Sequence, residues 1–221
     1  RANNKLKERV KTTTGDGDII RCRWLPIDFD PIRPAGISSS ESEHYVAISR
    51  AIECAKFLRE LGFPESSWFI ANSGNGAHLP TYIDLPNDDE STKLIKLCLE
   101  AIDFRFSDHK VKVDLSVDNP ARIWKLYGTM TCKGDSTDSR PHRLSELLVF
   151  DDQITPVSKD LLEKLAATAP KRRETHAGSR LKIGSFDLHA WVEKKNLDVI
   201  GPSPWKNAQK YLFPVCPWNA E

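Results

Sequence analysis

The chain has 221 residues, 39% hydrophobic and 29% charged, enough apolar material for a buried core and too much for a disordered chain. A net charge of +1 excludes a single-sign field over the whole protein, so any polyanion has to be met by local patches. No apolar run reaches membrane-span length, and Arg1–Lys11 is polar and basic without the apolar centre of a signal peptide.

The length suits one large domain, or a domain with an appendage. The chain opens without Met and stops abruptly, which reads as a fragment. The 5 cysteines, at 22, 54, 98, 132 and 216, are odd in number and form no Cys-x-x-Cys. That pattern points to a reduced, cytoplasmic setting.

In chain order, Gly15-Asp16-Gly17 is a turn and Ile19–Asp30 reads as a strand, with Pro26 marking an edge or a bulge. Ser40-x-x-Glu43 is a capping box. Behind it Ile48, Ala51, Ile52, Ala55 and Leu58 fall on one helical face, and Gly62 and Pro64 end the helix. Trp68–Asn72 and Ala77–Asp84 read as a hairpin closed by Ser73-Gly74-Asn75-Gly76. Asp88 or Asp89 starts a second helix that buries Leu94, Leu97, Cys98, Ala101 and Ile102. Val111–Asp114 and Arg122–Thr129 are further strands, Ser158–Ala166 a short amphipathic helix, and Phe186–Lys195 a small helix. A Pro-rich tail follows, with a strand at Tyr211-Leu212-Phe213.

The order β-α-β-β-α-β predicts an α+β fold, helices on one side of a mostly antiparallel sheet, related to the ferredoxin-like split motif. Residues 1–167 form the expected core, 168–182 a basic linker with Lys171, Arg172, Arg173 and Arg180, and 183–221 a small accessory segment, truncated on this reading.

Asp28 and Asp30, at i and i+2 on one strand, share a face. Two carboxylates held together repel unless a cation sits between them, and oxygen-only ligands favour Mg²⁺ or Mn²⁺ over zinc. A solvated strand end is the plain alternative. Asp114 ends another strand; if that strand neighbours the first, three carboxylates can hold two metals about 3.5–4 Å apart, as in nucleotidyl transfer. In Ser73-Gly74-Asn75-Gly76-Ala77-His78, glycines let backbone amides approach an anion and His78 can donate to a phosphate oxygen, although Asn-Gly also makes ordinary hairpins. Residues 119–145 hold Arg122, Lys125, Lys133, Arg140 and Arg143 against Asp135 and Asp138. Arg122 and Lys125 would face opposite sides of a straight strand, and Lys133-Gly134 reads as a phosphate clamp or a solvated basic loop.

Taken in order, Ile-Asp-Phe-Asp-Pro-x-Arg-Pro, Ser-Gly-Asn-Gly-x-His, Val-Asp-x-Ser-Val-x-Asn-Pro-Ala-Arg-Ile-x-Lys-Leu-x-Gly-Thr, Lys-Gly and Arg-Pro-His-Arg resemble the archaeo-eukaryotic primase superfamily. The likeness is strongest to the primase-polymerases of phages, plasmids and CRISPR-linked loci, and it covers roughly residues 20–150. The resemblance implies an RRM-like catalytic core and template-dependent joining of nucleoside triphosphates. It implies Mg²⁺ or Mn²⁺ in a two-metal site on Asp28, Asp30 and Asp114. Ser73, Asn75, Gly76, His78, Arg122, Lys125, Lys133 and Arg143 would contact the nucleotide. Implied partners are a single-stranded DNA template, a primer, dNTP or NTP, and a fused or associated helicase or other replication or CRISPR protein, without a membrane. Phe186-Asp187-x-x-x-Trp191, Tyr211 and Cys216-Pro217-Trp218-Asn219 resemble a segment that leads into a Cys/His metal site in larger relatives, but Cys216 alone builds no zinc site.

Two rivals stand beside this reading. A metal-dependent nuclease of the replication-initiator type needs a His-hydrophobe-His pair, which is missing. A non-catalytic single-strand binding module would show aromatic residues on the sheet face, where the positions in question carry Asp.

Overall fold

The computed structural model describes residues 13–170, 187–206 and 208–214. The chain divides into two units, Arg1–Lys171 and Arg172–Glu221, and its fold is α+β with antiparallel sheets. In the first unit the elements are β1 (Arg21–Leu25), β2 (Asp28–Pro31), α1 (Glu41–Leu61), β3 (Ile70–Asn72), β4 (Ala77–His78), β5 (Thr81–Pro86), α2 (Asp89–Phe106), β6 (Val111–Val113), β7 (Met130–Thr131), β8 (Arg143–Leu144), β9 (Glu146–Val149) and α3 (Lys159–Ala166). Five strands make one sheet in the order β6-β2-β4-β3-β9. β1 pairs with β5, and β7 with β8.

Strand alternation sorts the two faces of the sheet. Phe29 lies across from Ala77 and Val113, and all three join Ala51, Cys54 and Leu58 of α1 and Leu99 and Ile102 of α2 in the buried core. Asp28 and Asp30, one residue off that register, take the face away from the helices. Asp28 lies opposite His78, and Asp30 opposite Lys112.

The helices start where the sequence says. Ser40 Oγ accepts from the Glu43 amide at 3.3 Å, and Glu43 accepts from the Ser40 amide at 2.8 Å. Gly62, with φ +104°, closes α1 in a left-handed conformation that disfavours a side chain. The buried stripe is Ala47, Ala51, Cys54, Ala55 and Leu58, which keeps Ala51, Ala55 and Leu58 of the expected face and replaces Ile48 and Ile52 by Ala47 and Cys54; Ile52 is 40% exposed and Ile48 half-buried. The sheet surface under α1 carries bulky Phe29, Val111 and Val113, and small helix residues let the two approach. Asp88 caps α2, which buries Leu94, Ile95, Cys98, Leu99, Ala101, Ile102 and Phe106, while Leu97 stays half-buried.

The single strand expected at Ile19–Asp30 is two. Leu25 pairs with Thr81 and Asp28 with His78 in one register, which sets Pro26 opposite Pro80. Neither proline has an N–H to give, so the ladder breaks there. It resumes where the Leu79 amide donates to Ile27 O at 2.9 Å. The same break divides the expected strand Ala77–Asp84 into β4 and β5.

The expected strand Arg122–Thr129 does not form. The Arg122 amide turns back onto Asn119 O at 3.1 Å, and Gly128, with φ +87°, sends its amide to Ser145 O at 2.7 Å. Ile123 and Leu126 are 92% and 75% exposed, so no packed face holds the segment extended.

The second unit contains α4 (Leu188–Lys194), capped by Asp187, and a hairpin of β10 (Ile200–Trp205) and β11 (Ala208–Leu212). β11 takes in Tyr211 and Leu212 of the expected strand. β10 was hidden by Pro202 and Pro204, which a two-stranded ribbon tolerates because each strand has a free edge. Of the expected linker, 171–182 lies outside the described residues, as does Cys216. Among the described residues no helix is long and apolar enough to cross a membrane.

Candidate active site

One open cleft of about 510 Å³ lies on the helix-free face of the sheet in the first unit. It is lined by nine of the eleven residues the sequence nominated: Asp28, Asp30, Ser73, Asn75, His78, Asp114, Arg122, Lys125 and Lys133. Asp114 arrives because β6 neighbours β2, and its amide donates to Asp28 O at 3.0 Å. The missing strand at 122–129 lets Arg122 and Lys125 turn to the same side, which a straight strand forbids.

The three carboxylates are unequal. Asp28 is 18% exposed and Asp30 49%. The Asp28 carboxyl is pushed up to about 8 by burial, then by Asp30 and Asp114, with Lys133 and Arg33 pulling the other way. Asp114 Oδ1 accepts from the Ser116 amide at 2.8 Å, which anchors the side chain at the end of β6. Among the described residues no three His, Cys, Asp or Glu side chains converge tightly enough to close around a metal ion. Mg²⁺ characteristically takes one or two carboxylates and completes its shell with water and substrate phosphate, so an all-oxygen, half-formed site of this kind fits it.

His78 is held from behind by an aromatic relay. Trp124 Nε1–H donates to Tyr127 Oη at 3.0 Å, which leaves the hydroxyl hydrogen of Tyr127 for His78 Nδ1 at 2.9 Å. With Tyr127 as the donor to Nδ1, the ring proton sits on Nε2, 3.5 Å from Asp28 Oδ1 and facing the cleft. Burial, and then Lys125, push His78 down to about 4, so it is a neutral N–H donor. The Trp124 ring covers it at 4.4 Å. Burial raises Tyr127 to about 12, so its hydroxyl keeps its proton.

Three amides of the hairpin between β3 and β4 are already used within the turn. Ser73 N–H donates to Gly76 O, Gly74 N–H to Asn72 Oδ1 and Gly76 N–H to Ser73 Oγ. Ser73 still has its hydroxyl hydrogen to give. Asn75 Oδ1 accepts from the Ser39 amide at 2.9 Å, tying the turn to the start of α1. Gly76 lies outside the cleft, and a Cβ there would sit 2.2 Å from Phe29 O. It is glycine because the hairpin presses on the strand that carries Asp28 and Asp30.

Arg143 also lies outside the cleft. It bonds Glu41 at 2.7 Å and Ser39 O at 2.8 Å, at the first turn of α1. Lys125 Nζ donates to Thr131 Oγ1 at 2.6 Å, and Thr131 donates to Ser73 O at 2.8 Å. Arg122 reaches Ser116 Oγ at 3.3 Å.

Sequence reasoning passed over Arg33, Trp124, Tyr127 and Thr131. Arg33 is half-buried, with a side chain only 7% exposed, 3.5 Å from Asp30 and bonded to Pro31 O and Ile37 O. Its place three residues after Asp30, between two prolines, was the available signal. Comparison with protein-family models, curated proteins and solved structures returns no match for this chain.

Proposed function

We propose that the chain is a template-dependent nucleotidyltransferase of the primase-polymerase type, joining nucleoside triphosphates in the cleft of the first unit. The observation that carries this is the meeting, on one sheet face, of Asp28, Asp30 and Asp114 with His78, Lys125, Lys133 and Arg122. The strand order adds support: within the unit β2-α1-β3-β4-α2-β6, the fourth strand lies beside the first, then the third, then the second. With β5 set aside, that order supports the reading of an RRM-like core, and the motif order resembles that of the archaeo-eukaryotic primases.

In the reaction the 3′-oxygen of a primer, or of a first nucleotide, forms a bond to the α-phosphorus, and the bond to the pyrophosphate oxygen breaks. Asp28, Asp30 and Asp114 would hold Mg²⁺ or Mn²⁺. Bound there, the divalent ions lower the pKa of the attacking hydroxyl and offset charge on the leaving pyrophosphate. His78 gives its Nε2–H to a phosphate oxygen, already oriented by Tyr127. Lys133, Lys125 and Arg122 neutralise charge along the triphosphate, and Ser73 donates from the hairpin. Arg33 keeps Asp30 aimed at the cleft.

The test is incubation of the chain with a single-stranded DNA template, labelled dNTPs or NTPs, and Mg²⁺ or Mn²⁺, with and without primer. Template-directed incorporation that a chelator abolishes is the expected result. Strand binding that ignores a chelator, with no incorporation under any condition, would replace the enzyme by a single-strand binding module.

A further inference from the structure

A second cavity, of about 440 Å³, adjoins the cleft and shares Val117, Arg122 and Trp124 with it. We propose that it seats the base and sugar of the nucleotide whose phosphates occupy the cleft; this rests on the reading of the cleft as a triphosphate site.

The strand register builds both spaces on one surface. On the helix-free face β2 and β1 present Asp30, Asp28, Pro26 and Trp24 in sequence, and the paired strands present His78, Pro80 and Tyr82. The face is therefore polar at one end and aromatic at the other, with the opposed prolines between. Trp24 meets Phe69 edge-on at 5.5 Å and Tyr82 at 5.3 Å. Phe69 meets Tyr127, the residue behind His78, at 5.7 Å. An aromatic surface thus runs from the cavity to the cleft.

The walls choose the ligand. Trp24, Phe69, Pro26 and Pro80 offer flat apolar surfaces, and the prolines carry no N–H to satisfy. A planar heterocycle gains stacking on these surfaces that tolerates any base, and Arg21, Arg23 and Arg122 stand at the same walls to meet its polar substituents. The volume is in the range of sites for small organic ligands. From Asp28 to Trp24 is four residues, roughly 13 Å at the rise of a strand, within reach of an extended nucleoside triphosphate. Arg122 borders both spaces, where phosphate would succeed sugar.

The test compares two probes on the full chain with Mn²⁺: inorganic tripolyphosphate, and a nonhydrolysable nucleoside triphosphate. The nucleotide should bind about ten-fold more tightly. Trp24→Leu should weaken the nucleotide by roughly five- to ten-fold and leave tripolyphosphate unchanged, and Trp24→Phe should recover most of the loss. Equal binding of both probes to the wild-type chain overturns the proposal, as does a Trp24→Leu loss shared by both probes or seen with neither. Binding of neither probe to the wild-type chain removes the triphosphate reading of the cleft, and this inference with it. Should Trp24→Leu not fold, an 8-azido nucleotide photocross-linked to the wild-type chain decides: adducts at Trp24 or Phe69 support the cavity, and adducts confined elsewhere overturn it.

Discussion

Arg122, Lys125 and Lys133 on one side, and Arg140 and Arg143 on the other, belong to the same basic stretch of sequence but do different work. Arg140 forms a two-pronged pair with Glu43 at 2.8 and 2.9 Å, and Arg143 holds Glu41. Both glutamates lie in the first turn of α1, so these arginines fasten a loop to a helix end. Arg122 bonds Ser116 Oγ and Lys125 bonds Thr131 Oγ1, both neutral hydroxyls, and Lys133 acts on Asp28 through space. A cation matched by a dedicated carboxylate serves the fold; a cation left facing a cleft remains available to a ligand.

The largest effect that would separate the two groups comes from the carboxylates the cleft cations face. Asp28→Ala or Asp30→Ala should lower nucleotide incorporation by about a thousand-fold or more with the fold kept, measured by primer extension alongside circular dichroism. Asp28 also carries a pH signature. Its folded value lies above the ordinary 3.8, so the metal-free folded state binds more protons than the unfolded one between there and about 8. Stability therefore falls as pH rises through that window, and Asp28→Asn should remove the fall in a melting-temperature series.

Lys133→Ala removes a charge-assisted contact worth about 1.5–3 kcal/mol, so the nucleotide KM should rise roughly ten- to a hundred-fold while template affinity stays put. Unchanged KM with weakened template binding would move Lys133 from the triphosphate to the nucleic-acid strand.

Arg140→Ala should do the opposite, lowering stability by about 1–2 kcal/mol with KM unaltered. Arg140, first among its partners, holds Glu43 below the usual carboxylate range. The stabilisation is therefore complete above the unfolded value and lost as pH falls through the depressed folded one. The variant should show a flatter acid limb in its melting temperature against pH. A KM change without a stability change would place Arg140 with the cleft group.

Tyr127→Phe is the smallest change. Loss of one neutral hydrogen bond, about 0.5–1.5 kcal/mol, should raise the nucleotide KM by two- to ten-fold. Nitrogen NMR of His78 should show Nε2–H in the wild-type chain and a mixture of tautomers in the variant. An unaltered tautomer would leave Tyr127 a packing residue only.

How much was legible follows the range of the interactions. Local signals held: the Ser40–Glu43 capping box, Gly62 as a helix stop, Asp88 as a cap, and the hairpin turn at Ser73-Gly74-Asn75-Gly76. Asp28 and Asp30 share a face because strand alternation is a local rule. Signals that depend on distant partners misled. Arg143 resembled a phosphate contact because Glu41 is far away in sequence, and Arg122–Thr129 resembled a strand because nothing local shows that Ile123 and Leu126 would find no core. The split at Pro26 became readable only once Pro80 was seen opposite it.

The carboxylates and the basic side chains of the cleft either act on one ligand or serve separate ones. Equilibrium binding of Mn²⁺, with and without a nonhydrolysable nucleoside triphosphate, measures that directly. Nucleotide should tighten Mn²⁺ and Mn²⁺ should tighten nucleotide by the same factor, and the coupling should disappear in Asp30→Asn while the fold persists. Mn²⁺ affinity indifferent to nucleotide, or coupling that survives the loss of Asp28 and Asp30, would contradict a single shared ligand.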